Sequence, residues 1–304
     1  MLDFITWTAS PEIYSGFVTV RWYGLMFAIG FWFGYEVVWR EFRHEGVPES
    51  WVSKLFIYVI VATVVGARLG HVIFYDWAYY SHHLADIPKI WEGGLASHGG
   101  VLGIMLAIWL YSKLVTKRSM LWTFDRVVVP VGVVAALIRI GNLFNHEIYG
   151  GPTDLPWGFR FIENIPQYLA GAEAQFSVPS HPTQIYEALA YLITFAVVMW
   201  LYWKRNEQER PGLIFGVFML GIFGARFLVE FVKNVQEPWE VEMRAMCGMD
   251  MGQLLSIPFI VAGLWLVIRA MRRPRRYMRH CAIWACLRCA CGCIGDATAK
   301  SEKA

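Results

Sequence analysis

The chain alternates between long apolar stretches and short polar segments. Seven stretches approach the roughly 20 residues that an α-helix needs to cross about 30 Å of hydrocarbon. They cover residues 17–39, 51–75, 95–115, 122–145, 184–203, 211–232 and 251–270. Because every backbone polar group in lipid must be paired internally, stretches of this length predict helices rather than strands. We therefore expect an all-α integral membrane protein, built as a bundle of seven transmembrane helices.

Basic residues indicate the orientation of this bundle. They concentrate in alternate loops and after the last stretch, at Arg40, Arg43, Lys117, Arg118, Lys204, Arg205, Arg210, Arg272, Arg273, Arg275, Arg276 and Arg279. The intervening loops contain few Lys or Arg. Since basic loops stay in the cytoplasm, the N-terminus is expected outside and the C-terminus inside. Segments 76–94 and 146–183 would then form caps on the outer side.

Composition supports a membrane location. The chain is 57% apolar and 17% charged, whereas an ordinary soluble domain is about 45–50% apolar and about 25% charged. The net charge of +3 is small and its basic residues are spread over loops, so no nucleic-acid partner is expected.

Several ionisable side chains lie inside the apolar stretches or near their ends. Each is a functional candidate, because a charge at mid-membrane costs about 2.5–3.5 kcal/mol on insertion scales. A structural ion pair or an Arg reaching the interface is the alternative for any one of them. In the predicted topology, however, all lie near the outer ends of their helices: Tyr23, Arg68, His98, Arg139, Asn142, Glu187, Arg226 and Glu230. This predicts one polar pocket at the outer leaflet, where at least three guanidiniums converge on an anionic lipid headgroup.

The motifs around these residues resemble a known family. The segments are RWYGLM at 21–26, GARLG at 66–70, WEGG at 91–94, SHGG at 97–100, RIGN at 139–142, HPTQIYE at 181–187, GAR at 224–226 and MGQ at 251–253. In order and spacing, over roughly residues 15–270, the chain resembles the bacterial prolipoprotein diacylglyceryl transferases.

The resemblance implies transfer of the diacylglyceryl group of phosphatidylglycerol to the lipobox cysteine of a prelipoprotein signal peptide, with release of glycerol phosphate. It implies a multi-pass enzyme of the bacterial inner membrane whose site faces the outer leaflet, with phosphatidylglycerol as substrate and no cofactor or metal. The matched functional positions are Tyr23, His98, Arg139, Asn142, Glu147, Gly150, Arg226 and Glu230.

The reaction that the resemblance implies begins from a cysteine thiol, and this chemistry suggests a role for several of these residues. A free cysteine with a pKa of about 8.5 is mostly protonated at neutral pH, so the reaction needs a proton acceptor. We hypothesise that His98, with Tyr23 as the other candidate, takes or relays this proton. Arg139 and Arg226 would hold the phosphodiester and stabilise the leaving oxygen. Arg68 is expected to join them in binding phosphatidylglycerol.

The residues alone leave two other functions open. One is a lipid or anion transporter, although no internal repeat or midplane site is visible. The other is a glycerolipid acyltransferase using His71 and Asp76, which form an H-x4-D pattern.

The end of the chain lies outside the resemblance. We expect residues 1–274 to form the catalytic membrane domain and residues 275–304 to form a basic, disordered cytoplasmic tail. This tail contains Cys281, Cys286, Cys289, Cys291 and Cys293, whose spacing is not that of a standard zinc site.

Overall fold

The computed structural model describes residues 4–16, 19–90, 93–234, 243–246 and 248–274, so the Cys-rich tail lies outside the described residues. The long helices, α1 to α7, are Trp22–His44, Ser50–Phe74, Ser97–Tyr111, Met120–Phe144, Thr183–Trp203, Leu213–Val229 and Met251–Met271. Helix α3 continues into a π-helical turn, Ser112–Thr116, and α6 into a 3-10 turn, Glu230–Val232. The short strands, β1 to β4, are Ile5–Thr6, Glu12–Tyr14, Val20–Arg21 and Phe159–Arg160.

Six of the long helices, α2 to α7, are long and apolar enough to cross a membrane. Helix α1 is not among them, although it has 23 residues. Trp and Tyr recur along α1, and its last third carries Glu36, Arg40, Glu41 and Arg43, which lowers its mean hydropathy. The described residues are therefore mostly helical and contain six candidate spans, and spanning by α1 stays a prediction.

Helix α1 begins at residue 22, whereas the apolar pattern indicated residue 17. Strand β3 pairs antiparallel with β2, and the Trp22 amide donates to the Pro11 carbonyl at 3.1 Å. These backbone hydrogen bonds to an upstream segment compete with extension of the helix. Periodicity within the stretch cannot reveal such pairing.

Helices α2 and α3 pack against each other through glycines. A Cβ added at Gly99 would lie 2.7 Å from Gly70 Cα, and one added at Gly66 would lie 3.1 Å from Gly103 Cα. Small residues let membrane helices approach this closely, and van der Waals contact then holds the backbones together. We call these two helices the α2–α3 pair.

The other five helices form the main body. Helix α4 packs against α1, α5 and α6, and α7 packs on α6. The body core consists of Val37, Val128, Val129, Val198, Tyr202, Ile214, Phe218, Met219 and Leu266. A second core connects the α2–α3 pair to the body near the basic loops, through Val38, Phe42, Val47, Val52, Leu55, Tyr111 and Trp122.

Segments 76–94 and 146–183 lie at the helix ends opposite the basic loops. The first contains a short helix, Trp77–Tyr80, and a 3-10 turn, Leu84–Asp86. The second contains a short helix, Ile165–Leu169, and strand β4, which pairs parallel with β1. The described residues of both segments thus contain short elements of secondary structure, and their position on the outer side stays a prediction.

His146 connects the second cap to the N-terminal segment. Its Nε2 atom lies 2.9 Å from the Ala9 carbonyl oxygen, and the Ile162 amide donates to Nδ1 at 3.0 Å. The two hydrogen bonds can form together only when the ring is neutral, because a protonated Nδ1 cannot accept the Ile162 amide. Burial lowers the pKa of His146 below its usual value of about 6.5. The folded protein therefore favours the neutral imidazole.

Substitution of Gly99 by Ala is expected to destabilise the protein by at least about 2 kcal/mol, because the added carbon would overlap the α2 backbone, which cannot rotate aside. Gly24→Ala is the matched control, since no atom lies within 4 Å of the carbon it adds. Thermal unfolding of both variants in detergent measures the difference. Equal midpoints would contradict the close packing of the α2–α3 pair.

Acidification is expected to destabilise the second cap through His146. Its pKa is lower in the folded than in the unfolded protein, so its contribution is complete above about pH 6.5 and declines as the pH falls through the unfolded value. Thermal midpoints between pH 7.5 and 5 should fall less steeply for His146→Asn, because Asn does not titrate and tolerates the positive φ of 56° found there.

The exposed His82 provides the control for this experiment. His82→Gln should keep the slope of the parent protein. If His146→Asn also kept that slope, His146 would not be the source of the acid sensitivity.

Candidate functional site

An ion pair joins the end of α4 to the start of α5. Arg139 Nε lies 2.5 Å from Glu187 Oε2, and the Glu187 side chain is only 1% exposed. Tyr191, one turn further along α5, also interacts with the Arg139 guanidinium. Since a buried charge is costly without a partner, Glu187 fixes where the guanidinium lies.

Amide side chains extend this contact toward the loop after α4. Arg139 Nη1 lies 3.4 Å from Asn142 Oδ1, and Asn142 Nδ2 donates to Glu147 Oε1 at 2.7 Å. Asn145 donates to the same carboxylate oxygen at 3.1 Å. Gln184 Nε2 donates to the Glu147 backbone carbonyl at 2.7 Å. We call Arg139, Asn142, Glu147 and Glu187 the arginine network.

Tyr23, at the start of α1, lies beside this network. A Cβ added at Gly141 would be 2.8 Å from Tyr23 Cδ2, so the glycine allows the ring to pack directly on α4. The Tyr23 hydroxyl is within electrostatic range of Glu147 and Arg139. The structure thus brings this predicted site residue close to the predicted phosphate-binding arginine.

Gly150 lies where the second cap meets the segment after α6. Its amide donates to the His181 carbonyl at 2.8 Å, and it forms an antiparallel bridge with Lys233. An added Cβ would lie 2.8 Å from both His181 Cβ and Thr183 Cγ2. Any side chain here would displace the cap, which explains the need for glycine.

Arg226 and Glu230 lie at the end of α6, next to the same region. Glu230 is 9% exposed and its Oε2 is 3.5 Å from Lys233 Nζ. Glu230 interacts electrostatically with both Arg226 and Arg139. Among the described residues, the buried Arg226 Nε atom has no hydrogen-bond partner. Two of the three predicted guanidiniums therefore lie in one neighbourhood.

Arg68 makes its hydrogen bonds to the first cap. Its guanidinium donates to the Asp86 and Ile87 carbonyls at 2.8 and 2.7 Å, and to those of Gly93 and Gly94 at 2.7 and 3.2 Å. The Tyr80 ring lies 5.0 Å from its central carbon. Arg68 thus anchors the first cap, and within the described residues none of its hydrogen bonds reaches the arginine network. A direct contact with phosphatidylglycerol stays a prediction.

His98 begins α3 and is exposed. It lines a cavity of about 260 Å³ with His71, Tyr75, Leu95 and Ala96. Within the described residues no hydrogen bond or ion pair connects His98 to Tyr23 or Arg139. The structure therefore places the proposed base on the α2–α3 pair and the arginine network on the main body.

The acyltransferase alternative requires cooperation between His71 and Asp76. The His71 ring stacks on Tyr75, with centroids 6.0 Å apart, and Asp76 is exposed. Over the described ranges, His71 and Asp76 share neither a hydrogen bond nor an ion pair. The arrangement gives that alternative no support.

The sequence assigns no role to three residues that contribute to this site. Glu187 is one of the charges of the predicted polar pocket, and Gln184 belongs only to a motif. Tyr191 was missed, although it follows Glu187 at the i+4 spacing that places two side chains on one helix face. In the part of the chain that the structure describes, no group of three or more His, Cys, Asp or Glu could hold a metal ion.

Comparison with known proteins identifies the family. A family model for prolipoprotein diacylglyceryl transferase matches residues 11–269. The phosphatidylglycerol–prolipoprotein diacylglyceryl transferase of Porphyromonas gingivalis is 53% identical over 279 residues, which cover 89% of this chain and 96% of the relative. The enzymes of the same name from Chloroherpeton thalassium and Tolumonas auensis are 41% and 39% identical, covering 90% and 89% of this chain and 97% and 99% of the relatives. The chain therefore belongs to the prolipoprotein diacylglyceryl transferase family of membrane enzymes.

Proposed function

We propose that this chain transfers the diacylglyceryl group of phosphatidylglycerol to the lipobox cysteine of a prelipoprotein signal peptide. The cysteine sulfur forms a thioether with the C3 carbon of the diacylglyceryl group as the bond from that carbon to the phosphate oxygen breaks. The thiol proton passes to a base and glycerol phosphate leaves. The observation that carries the proposal is the buried arginine network, with Arg226 beside it, in a chain of this family.

The orientation of the bundle is part of this proposal. We infer seven spans, counting α1, with the N-terminus outside and the basic loops in the cytoplasm. The start of α1, the end of α4, the start of α5 and the end of α6 all carry site residues, and all are opposite the basic loops. The site then faces the outer leaflet of the bacterial inner membrane, where a secreted prelipoprotein presents its signal peptide.

Arg139 and Arg226 are the proposed phosphate-binding residues. A guanidinium offers planar, charged donors that match phosphate oxygens, and each such hydrogen bond is strong when water is excluded. Glu187 is a positioning residue, because it holds Arg139 by Nε. Asn142 and Glu147 orient the same guanidinium through Asn142 Oδ1, and Gly150 and Glu230 shape the adjoining wall.

His98 is the proposed proton acceptor, with Tyr23 as the other candidate. His98 is exposed beside a cavity of about 260 Å³, which is large enough for a cysteine side chain. We propose that the signal peptide approaches from the α2–α3 pair while the lipid phosphate binds to the body. The thiol and the lipid then meet between these two groups of helices. No cofactor is required, because the substrate supplies the nucleophile.

Arg139→Ala is expected to lower the transfer rate at least about 100-fold, because it removes charge-assisted hydrogen bonds to the phosphate, each contributing about 1.5–3 kcal/mol. Mass spectrometry of a lipobox peptide, incubated with phosphatidylglycerol and enzyme in detergent micelles, measures the added diacylglyceryl mass. Arg160→Ala, which removes an exposed guanidinium on the second cap, should retain the parent rate.

This experiment also tests the transporter alternative, since transport requires two compartments and micelles have none. An adduct formed in micelles supports the transferase. A folded preparation that binds phosphatidylglycerol yet forms no adduct would refute the proposed function.

His98→Gln is expected to lower kcat by a larger factor than it changes KM. Tyr23→Phe is the matching test of the other candidate base. If His98 accepts the proton, His98→Gln loses about 100-fold in kcat, in the usual range for general base catalysis. His82→Gln is the control. Full activity of His98→Gln together with inactivity of Tyr23→Phe would assign the base to Tyr23.

A further inference from the structure

A second cluster of arginines lies at the opposite end of the bundle from the arginine network. A cavity of about 110 Å³ is bounded there by Ser119, Arg210, Arg269 and Arg273. It joins the start of α4, the loop between α5 and α6, and the end of α7. We call this cavity the inner basic pocket. Its size suits a phosphate group rather than a large organic ligand.

The guanidiniums around the inner basic pocket have unused hydrogen-bonding capacity. Within the part of the chain that the structure describes, Arg210 Nε is buried and makes no hydrogen bond, although Glu207 Oε2 lies 3.5 Å away. Within the described residues, neither Arg269 nor Arg273 forms an ion pair. A buried N–H without an acceptor is costly, so an anion that supplies oxygen atoms would relieve this cost.

The surroundings of the pocket are also electropositive. Helix α4 begins here, and Ser119 caps it by accepting the Trp122 amide at 3.2 Å. The helix dipole places partial positive charge at this end. A larger cavity of about 450 Å³ adjoins through Ser119 and adds Lys117 and Arg118, with Glu209 as an acidic residue in its wall. Basic side chains therefore outnumber acidic ones around the two cavities.

The position of the pocket indicates which anion it meets. Trp265 and Met271, on either side of Arg269 along α7, are 59% and 61% exposed. Arg269 lies 5.2 Å over the Trp265 ring. Exposed Trp beside Arg at a helix end is typical of the depth at which lipid headgroups lie. Arg269, which bounds the pocket, therefore lies at a depth that suits contact with lipid headgroups.

We propose that the inner basic pocket binds the phosphate of an anionic phospholipid from the leaflet on the side of the basic loops. Basic pockets between transmembrane helices on that side are suited to such headgroups. The site is separate from the transferase site and does not depend on the proposed activity. Because the pocket joins three segments, an occupied site stabilises the body by mass action.

Native mass spectrometry of the full chain tests this proposal, with phosphatidylserine and phosphatidylcholine compared as added lipids. We expect retained phosphatidylserine in the parent protein and weaker binding in Arg269→Gln/Arg273→Gln. The expected loss is about tenfold for each charge-assisted hydrogen bond removed. Lys204→Gln/Arg205→Gln is the matched control, because it removes two exposed charges near the same membrane face without altering the pocket.

The possible outcomes distinguish a specific lipid-binding site from non-specific electrostatic attraction to the membrane face. Weaker binding only in the pocket variant supports the proposal. Equal losses in both double variants would overturn it, since surface charge alone would then explain the binding. Thermal stabilisation by inorganic phosphate or glycerol phosphate equal to that by phosphatidylserine would also overturn it, in favour of a free-anion site. Transfer activity is not used as a readout, so failure of the proposed function would leave the result unaffected.

Discussion

The ion pair between Arg139 and Glu187 is the interaction on which the site depends. Either charge alone would be expensive in an apolar bundle, and loss of one partner from a buried pair typically costs about 3–5 kcal/mol. The pair therefore requires the end of α4 and the start of α5 to lie side by side. Asn142 and Gln184 project from those same helix ends, so the loop that contains Glu147 is held by both. The contact between Arg139 and Glu187 thus both positions the proposed phosphate-binding arginine and holds the end of α4 against the start of α5.

A second polar network closes the other end of the body. Arg126, fully buried, lies 2.7 Å from Glu45 Oε1, and Tyr202 donates to the same oxygen at 2.6 Å. Asp125 accepts the Gly212 and Phe215 amides, which otherwise would be unpaired at the start of α6. The body is therefore apolar at its centre and carries a polar network at each end. This arrangement fixes helix positions that apolar contact alone would leave free to slide.

The sequence predicted the positions of the long helices well and the directions of their side chains poorly. Apolar stretches and basic loops locate every long helix within a few residues, and they place Arg139 and Arg226 at one level, where the structure finds them together. They give no information on which way a side chain points around the bundle. Arg68 lies near the same end of its helix, yet its guanidinium donates hydrogen bonds to backbone carbonyls of the first cap. The periodicity of α2 alone could not indicate these contacts. The late start of α1 has a similar cause, since its partner strand β2 lies outside the apolar stretch that predicted the helix.

The division of the site between two groups of helices follows from how each group is packed. Backbone contact at Gly66, Gly70 and Gly99 makes the α2–α3 pair a unit, whereas its connection to the body is concentrated near the basic loops. His98 belongs to the pair and Arg139 to the body, so the proposed base and the proposed phosphate site are held independently. In the proposed reaction, both substrates carry apolar parts that stay in the membrane. A boundary between two packed units would let each substrate reach its own half of the proposed site from the lipid, without passing its apolar part through water.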